Sequence, residues 1–250
     1  MTLSYRVAGT GTPLLLIHGA AEDASMLAPQ AEAFAARGRR VIWYDRRGTG
    51  ASSRADWPEG GVAQHVADAA ELLRSLDAVP ATVLGFSSGG VIALELAARH
   101  PELVERAIAW EPAAITALPD GADLHASILV PLDAQLAAQP GDWRAAFAVL
   151  IELMSGGAAD LSSPEVQAQM VNAEAAVRDD ARIITRHEFA PGSLPAGKVA
   201  VAIGKNAAPM HVAIAERLTA EVGAEPIIVE AADDHEVYLS QPDVLADALG

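Results

Sequence analysis

The chain has 250 residues, of which 51% are hydrophobic, enough for one well-packed α/β domain with an inserted sub-domain and too few for two independent large ones. Against 17 Lys and Arg it carries 33 acids, and the formal charge of −16 disfavours nucleic acid and anionic membrane surfaces as partners. The absence of cysteine excludes disulfides, a thiolate nucleophile and Cys-held metals; with no apolar signal core at the start and no membrane-spanning run, a cytoplasmic protein is expected.

Ser4 to Ala8 and Leu14 to Ile17 read as strands joined by the turn Gly9-Thr10-Gly11-Thr12-Pro13, and the second ends in His18-Gly19-Ala20. A helix from about Met26 to Arg37 leads to the strand Arg40 to Tyr44, which delivers Asp45-Arg46-Arg47-Gly48-Thr49-Gly50-Ala51-Ser52. A helix over Val62 to Leu76 precedes the buried strand at Val83-Leu84; a second apolar helix follows and stops at Arg99-His100-Pro101. The next strand, Ala107 to Trp110, runs into Glu111-Pro112. Strands alternating with helices in this way imply βαβ crossovers, hence a mostly parallel central sheet with helices on both faces.

The alternation breaks from about Pro112 to Gly197. Several helical patterns stand there: Leu124 to Leu136, which Pro131 should kink or split, Trp143 to Met154, Pro164 to Val177, and a shorter one near Arg182. The expected division is therefore a core of residues 1–111 and 198–250, interrupted by a helical cap of residues 112–197. Val199 to Ile203 and Pro226 to Glu230 resume as strands, with a helix over Ala213 to Val222 between them and a last helix from Val244 to Leu249.

Gly85-Phe86-Ser87-Ser88-Gly89 stands between strand and helix and fits G-x-S-x-G. In that pattern the flanking glycines keep Cβ atoms out of a tight turn, so that a serine can sit strained with its Oγ exposed. The helix N-terminus behind it favours the negative charge of an acyl-transfer intermediate. Taken alone, the pattern serves equally as a small-residue turn.

Further motifs follow in one order: His18-Gly19, Asp45-x-Arg47-Gly48-x-Gly50-x-Ser52, the serine turn, His100-Pro101-Glu102-Leu103-Val104, and a late His235 followed by Pro242. Together they resemble the α/β-hydrolase superfamily over nearly the whole chain, with a helical cap inserted after the strand that follows the serine turn. The resemblance implies that Ser87 is a nucleophile. A serine needs an adjacent base; of the 7 histidines, His235 alone lies just past the end of a late strand, and it occupies the family's histidine position. The family's acid usually follows the penultimate strand, where this chain offers only Asn206. Some branches place it after the strand following the serine turn, which here implies Glu111, with Asn206 the rival partner for His235. Oxyanion donors are expected from the N–H of Ser88 and, by resemblance, the N–H of Ala20. Asp45, Arg47 and Ser52 resemble a motif that stabilises a neighbouring loop.

Neither H-E-x-x-H nor a complete dinucleotide loop is present, so no metal or cofactor is expected. The cap offers Ile115, Leu118, Leu129, Val130, Leu132, Phe147, Leu150, Leu153, Met154 and Met170 as apolar lining candidates, with Trp110 and Trp143 able to stack on a ring. Trp110, Trp143 and Met154 are the expected substrate contacts. The expected partner is a small, hydrophobic, neutral ester or lactone; the same machinery also suits C–C bond hydrolysis beside a ketone or peracid formation. A binding protein that keeps the pocket without turnover is the reading from another class.

Overall fold

The computed structural model describes residues 3–250. Seven strands form one sheet: β1 (Tyr5–Ala8), β2 (Thr12–Ile17), β3 (Arg39–Tyr44), β4 (Ala81–Phe86), β5 (Val104–Trp110), β6 (Val199–Gly204) and β7 (Ile227–Val229), in the order β1-β3-β2-β4-β5-β6-β7. Only β1 runs antiparallel to its neighbour; every other pairing is parallel.

Strand alternation divides the core into two halves. Leu15, Ile17, Ile42, Tyr44, Val83, Ala107, Ala109, Val199, Val201 and Ile203 face one side. Leu14, Leu16, Val41, Trp43, Leu84, Phe86, Ile108, Trp110, Ala200 and Ala202 face the other. Such doubly buried strands read as continuous apolar runs, because crossover helices cover both faces. The helices of the first layer include α2 (Gly61–Ser75) and α3 (Ser88–Arg99), and α1 (Ala28–Ala36) lies on the opposite layer.

Between β5 and β6 no strand occurs among the described residues. A 3₁₀ turn at Ile115–Ala117 leads to α4 (Gly121–Ala138) and α5 (Trp143–Ser155), the latter capped by Asp142, whose carboxylate accepts the Ala145 N–H at 3.0 Å. Of the kink or split expected at Pro131, the split does not occur: one lost backbone bond is outweighed by good helix formers on both sides and by the fully buried Leu132 packing beside it. The two helices expected over residues 164–184 form one winding path instead. It runs through α6 (Pro164–Gln169), a 3₁₀ turn, α7 (Ala173–Ala175) and a π-helical segment, Ala176–Ile184. The chain closes with α8 (Pro209–Glu221), α9 (Val237–Ser240) and α10 (Pro242–Leu249).

Leu132, Ala146, Phe147, Met170, Ala173, Ala176, Val177 and Ala181 give residues 112–197 an apolar cluster of their own, which also takes in Ala21 of the sheet domain. This segment is tied to the sheet domain by apolar packing, with Ala114, Ile184 and Leu194 in the first core layer, and by buried polar contacts. Arg46 pairs with Asp180 at 2.8 Å with both side chains 1% exposed, while Asp179 accepts from Trp57 Nε1 at 2.9 Å and lies 2.7 Å from His65 Nε2. A second buried pair, Arg47 with Asp68, is bidentate at 2.9 Å for each arm and stays within the sheet domain. Removing one partner of such a pair strands the other charge in the interior. Asp68→Ala is therefore expected to lower the unfolding free energy by about 3–5 kcal/mol. Asp133→Ala, which removes the exposed partner of Arg182, should change it by less than about 1 kcal/mol. Urea denaturation of the two variants reads the difference.

Candidate active site

Ser87 sits between β4 and α3 with φ 51° and ψ −116°, outside the regions L-residues ordinarily occupy. Only glycines permit this crossing: a Cβ on Gly85 would lie 2.1 Å from the Gly89 carbonyl oxygen, and one on Gly89 would lie 2.3 Å from that of Ile17. The turn is fastened by the Ser87 N–H donating to the Trp110 carbonyl at 2.9 Å. Ser88, the first residue of α3, lines the cavity, and the Gly90 N–H donates back to the Ser87 carbonyl at 2.9 Å.

Glu111 leaves the end of β5 with φ 39°, a second left-handed non-glycine residue at the same sheet edge. Its Oε1 accepts the Gly204 N–H at 3.0 Å, and its Oε2 lies 2.6 Å from His235 Nδ1. His211 lies on the other side, with Nδ1 2.9 Å from the same oxygen but out of line for a hydrogen bond, and its ring stacks on that of His235 at 4.7 Å. Burial alone would push the Glu111 carboxyl up. The His211 and His235 rings and the Gly204 N–H outweigh it and hold the group well below the usual carboxylate range. The His235 loop is fixed by Trp110, whose Nε1 donates to the His235 carbonyl at 2.9 Å. Asn206, the rival partner for His235, is exposed and does not meet its Nδ1.

The loop after β2 is fastened at both ends of one residue. The Gly19 N–H donates to Glu22 Oε2 at 2.9 Å, and Glu22 Oε1 accepts the Tyr238 hydroxyl at 2.5 Å. The Gly19 carbonyl receives Arg46 Nη2 at 2.9 Å and His18 Nδ1 at 2.8 Å. His18 Nε2 accepts the Arg46 N–H at 3.1 Å, and burial together with the Arg46 charge holds this imidazole well below its ordinary pKa, hence neutral. Burial pushes the Glu22 carboxyl up to about 7, against the pull of the Tyr238 and Gly19 donors. Asp45 accepts the Ala24 and Ala51 N–H groups at 2.8 and 2.9 Å, and Ser52 Oγ donates to the Asp45 carbonyl at 2.6 Å, so these residues brace the adjoining loop.

Ser87, Ser88, Ala20, Glu111 and His235 all line one cavity of about 560 Å³. Of the expected apolar lining, Ile115, Phe147, Leu150 and Met154 reach it, Met154 being 56% exposed. Trp110 does not: strand alternation turns its ring into the opposite core layer, where it is fully enclosed. Trp143 does not either, because it opens α5 at the margin of the apolar cluster of residues 112–197, with the Arg178 guanidinium 5.8 Å from its ring centre. Leu132 and Met170 fill the apolar cluster of residues 112–197, and Val130 and Leu153 point to solvent. Lining residues that sequence reasoning passed over include Glu22, Ile128, Ile151, Asp180, His211 and Tyr238.

The family model for the alpha/beta hydrolase fold matches residues 12–161. The chain belongs to the α/β-hydrolase family. Uncharacterized hydrolase YraK of Bacillus subtilis is 42% identical over 111 residues, which are 44% of this chain and 41% of YraK. The match thus spans about two fifths of that relative's length. An alpha/beta hydrolase from Sphaerobacter thermophilus superposes with a TM-score of 0.74 at 24% identity, covering 99% of this chain and 96% of that one. Est816, an N-acyl homoserine lactone degrading enzyme, superposes at 0.73 with 22% identity, covering 99% and 95%. At such identities these two likenesses show the fold.

Among the described residues of this α/β hydrolase, Glu111, His211 and His235 are the one group of three potential metal donors, with ligand atoms within 4.8 Å of one another. Their Nδ1 to Oε2 separations of 2.6 and 2.9 Å are shorter than the roughly 3.3 Å between donors around a tetrahedral zinc ion. The two rings also lie stacked within 23° of parallel, so their lone pairs do not converge on one point. Ser87 Oγ is not hydrogen-bonded to His235 among the described residues, and catalytic contacts of this kind often tighten only around substrate. No described helix is long and apolar enough to cross a membrane.

Glu22 gives a pH signature with a definite sign. Its folded pKa of about 7 lies above the ordinary 4.5, so between these values the unfolded chain has released a proton that the native one keeps. Native stability contributed by this group is full below about pH 4.5 and falls as pH rises towards 7, by up to about 3 kcal/mol. Relative to the wild type, Glu22→Gln should lack this decline when unfolding free energies are measured in buffers from pH 4.5 to 7.5.

Proposed function

We propose that this hydrolase cleaves a small to medium, neutral, hydrophobic carboxylic ester or lactone through an acyl-enzyme, with no cofactor. The observation that carries this reading is the 2.6 Å contact between Glu111 and His235 Nδ1 at the cavity that also holds the strained Ser87. Engaging Nδ1 with a carboxylate fixes the tautomer and leaves Nε2 free to take the serine proton.

Ser87 Oγ attacks the carbonyl carbon as its proton passes to His235 Nε2, and Glu111 stabilises the imidazolium that forms. The oxyanion of the tetrahedral intermediate receives the N–H groups of Ala20 and Ser88. Collapse returns the proton to the leaving alcohol and leaves an acyl group on Ser87. Water, deprotonated by His235, then attacks the acyl carbon, and a second collapse releases the acid and restores the serine.

Residues 112–197 act in this reading as a cap over the acyl pocket. Ile115, Ile128, Phe147, Leu150, Ile151 and Met210 supply an apolar wall, and among the described lining residues none is Lys or Arg. Asp234 and Glu236 also line it, while Asp180 is already neutralised by Arg46, so a substrate bearing its own carboxylate meets repulsion from two acids with no Lys or Arg in the lining to offset it.

Ser87→Ala should abolish both turnover of aryl esters and labelling by a fluorophosphonate. Glu111→Gln should lower kcat by at least about 10²-fold by the precedent of triad acids, while Asn206→Ala changes it little. Steady-state kinetics over a panel of neutral esters, lactones and carboxylate-bearing esters tests the pocket: neutral compounds should turn over and their anionic counterparts should not.

A further inference from the structure

Arg46 is buried, 1% exposed, and the hydrolytic steps above give it no task. One of its nitrogens, Nη2, donates both to the Gly19 carbonyl at 2.9 Å and to Asp180 Oδ1 at 2.8 Å. That carbonyl belongs to the same peptide unit as the Ala20 N–H. In a planar trans peptide the C=O and the N–H point in opposite directions, so fixing the one aims the other. His18 Nδ1 grips the same oxygen from a second direction at 2.8 Å. Ala20 lines the cavity beside Ser87 and Ser88. Asp180, the anchor of Arg46, belongs to the π-helical segment of residues 112–197 and lines the same cavity.

We propose that Arg46 is a positioning residue for the oxyanion hole, aiming the Ala20 N–H through the Gly19 carbonyl, and that its pairing with Asp180 ties that alignment to the seating of the cap. The inference rests on the serine hydrolase reading and extends it to a residue that touches no reacting atom. Two effects act together. The grip on Gly19 holds the donor against the reorientation that an unfastened loop peptide would undergo, and a hydrogen bond to a peptide's oxygen polarises its N–H into a stronger donor. The guanidinium also places a fixed positive charge behind the peptide that receives the developing negative one. Asp180 holds that guanidinium in place, so displacement of the segment Ala176–Ile184 withdraws the anchor from the clamp.

The second buried arginine supplies the control. Arg47 is 3% exposed and forms a bidentate pair with Asp68, comparable in burial to the Arg46 pair, and its Nη1 donates to the Ala55 carbonyl. Arg46→Gln, Arg46→Lys, Asp180→Asn, Arg47→Gln and Ser87→Ala are made in the full chain. Each folded variant is assayed for kcat and KM on a neutral aryl ester and for affinity towards an alkyl trifluoromethyl ketone, which forms a tetrahedral adduct.

Arg46→Gln is expected to lower kcat by about 10- to 10²-fold with KM changed less than about threefold, and to weaken the ketone in proportion to kcat. Arg46→Lys, which keeps the charge, should recover part of the loss. Asp180→Asn, which keeps the shape but loosens the anchor, should fall between the wild type and Arg46→Gln. Arg47→Gln should lower stability while leaving kcat and ketone affinity within about twofold. Equal losses in Arg46→Gln and Arg47→Gln, or a loss carried by KM alone, would overturn the inference. If Arg46→Gln does not fold, wild-type kcat and ketone affinity in both Arg46→Lys and Asp180→Asn overturn it as well. Activity surviving in Ser87→Ala would instead sink the serine hydrolase reading.

Discussion

The site depends on one close approach of backbone to backbone. β2 and the start of α3 lie so near that Gly89 has no room for a Cβ beside the Ile17 carbonyl, and Ser87 must cross between strand and helix with φ 51°. A non-glycine residue held in such a conformation costs about 1–3 kcal/mol. The surroundings offset that cost: Leu15, Ile17, Val83 and Phe86 are fully enclosed, and burying each such side chain contributes about 1.5–3 kcal/mol. Because the elbow is wedged against β2, the loop that leaves β2 at His18-Gly19-Ala20 is carried to the serine's side. Two segments distant in sequence are thereby brought to one rim by the parallel pairing of β2 with β4 and by the close packing of α3 on β2.

Around that rim the charges are sorted. On the His235 side stands an ionised carboxylate, Glu111, kept so by two imidazoles and a backbone N–H. Behind the Gly19-Ala20 peptide stands a guanidinium, Arg46. In the proposed acyl transfer a positive charge develops on His235 and a negative one on the substrate oxygen, so each fixed charge stands on the side where its opposite appears. Both are buried, where Coulomb interactions are screened far less than at the surface of a chain whose formal charge is −16. The neutral His18 belongs to the same scheme: an imidazolium beside Arg46 would bring two like charges into contact without solvent.

The sheet was legible in the sequence because parallel strands covered on both faces are continuous apolar runs punctuated by glycine and proline, and Leu14 to Ile17 and Val199 to Ile203 could hardly be anything else. The contact between Glu111 and His235 was legible for a topological reason: both follow strands at the carboxyl edge of the sheet, where β5 and β7 flank β6. His211 was missed because α8 starts at Pro209, which permits the first helical position, and not at Ala213; those four residues turn a supposed loop into the helical turn that carries the second imidazole to Glu111. Trp110 was misjudged by parity, since an aromatic residue one position before a site residue on a strand faces the opposite layer. The lining of residues 112–197 was least legible. Its helices are so rich in alanine that apolar stripes are broad, and nothing in their spacing separates Ile128, which reaches the cavity, from Leu132, which fills the core.

The manner in which that segment is docked follows the same logic of specificity. The apolar contacts that residues 112–197 make with the sheet domain, through Ala114, Ile184 and Leu194, would by themselves tolerate sliding by a fraction of a helical turn at little cost. Buried ion pairs and hydrogen-bonded acids do not: a shift of one residue would leave Arg46 and an aspartate both desolvated and unpaired. Such pairs add little net stability compared with apolar side chains of equal volume, but they define a register. Asp179 and Asp180 are adjacent in sequence yet serve different partners, Trp57 and His65 for the first and Arg46 for the second. Both aspartates lie on the π-helical segment Ala176–Ile184. The irregular winding and the buried charges thus fall on one segment, whose Asp180 reaches the arginine that also holds the Gly19 carbonyl.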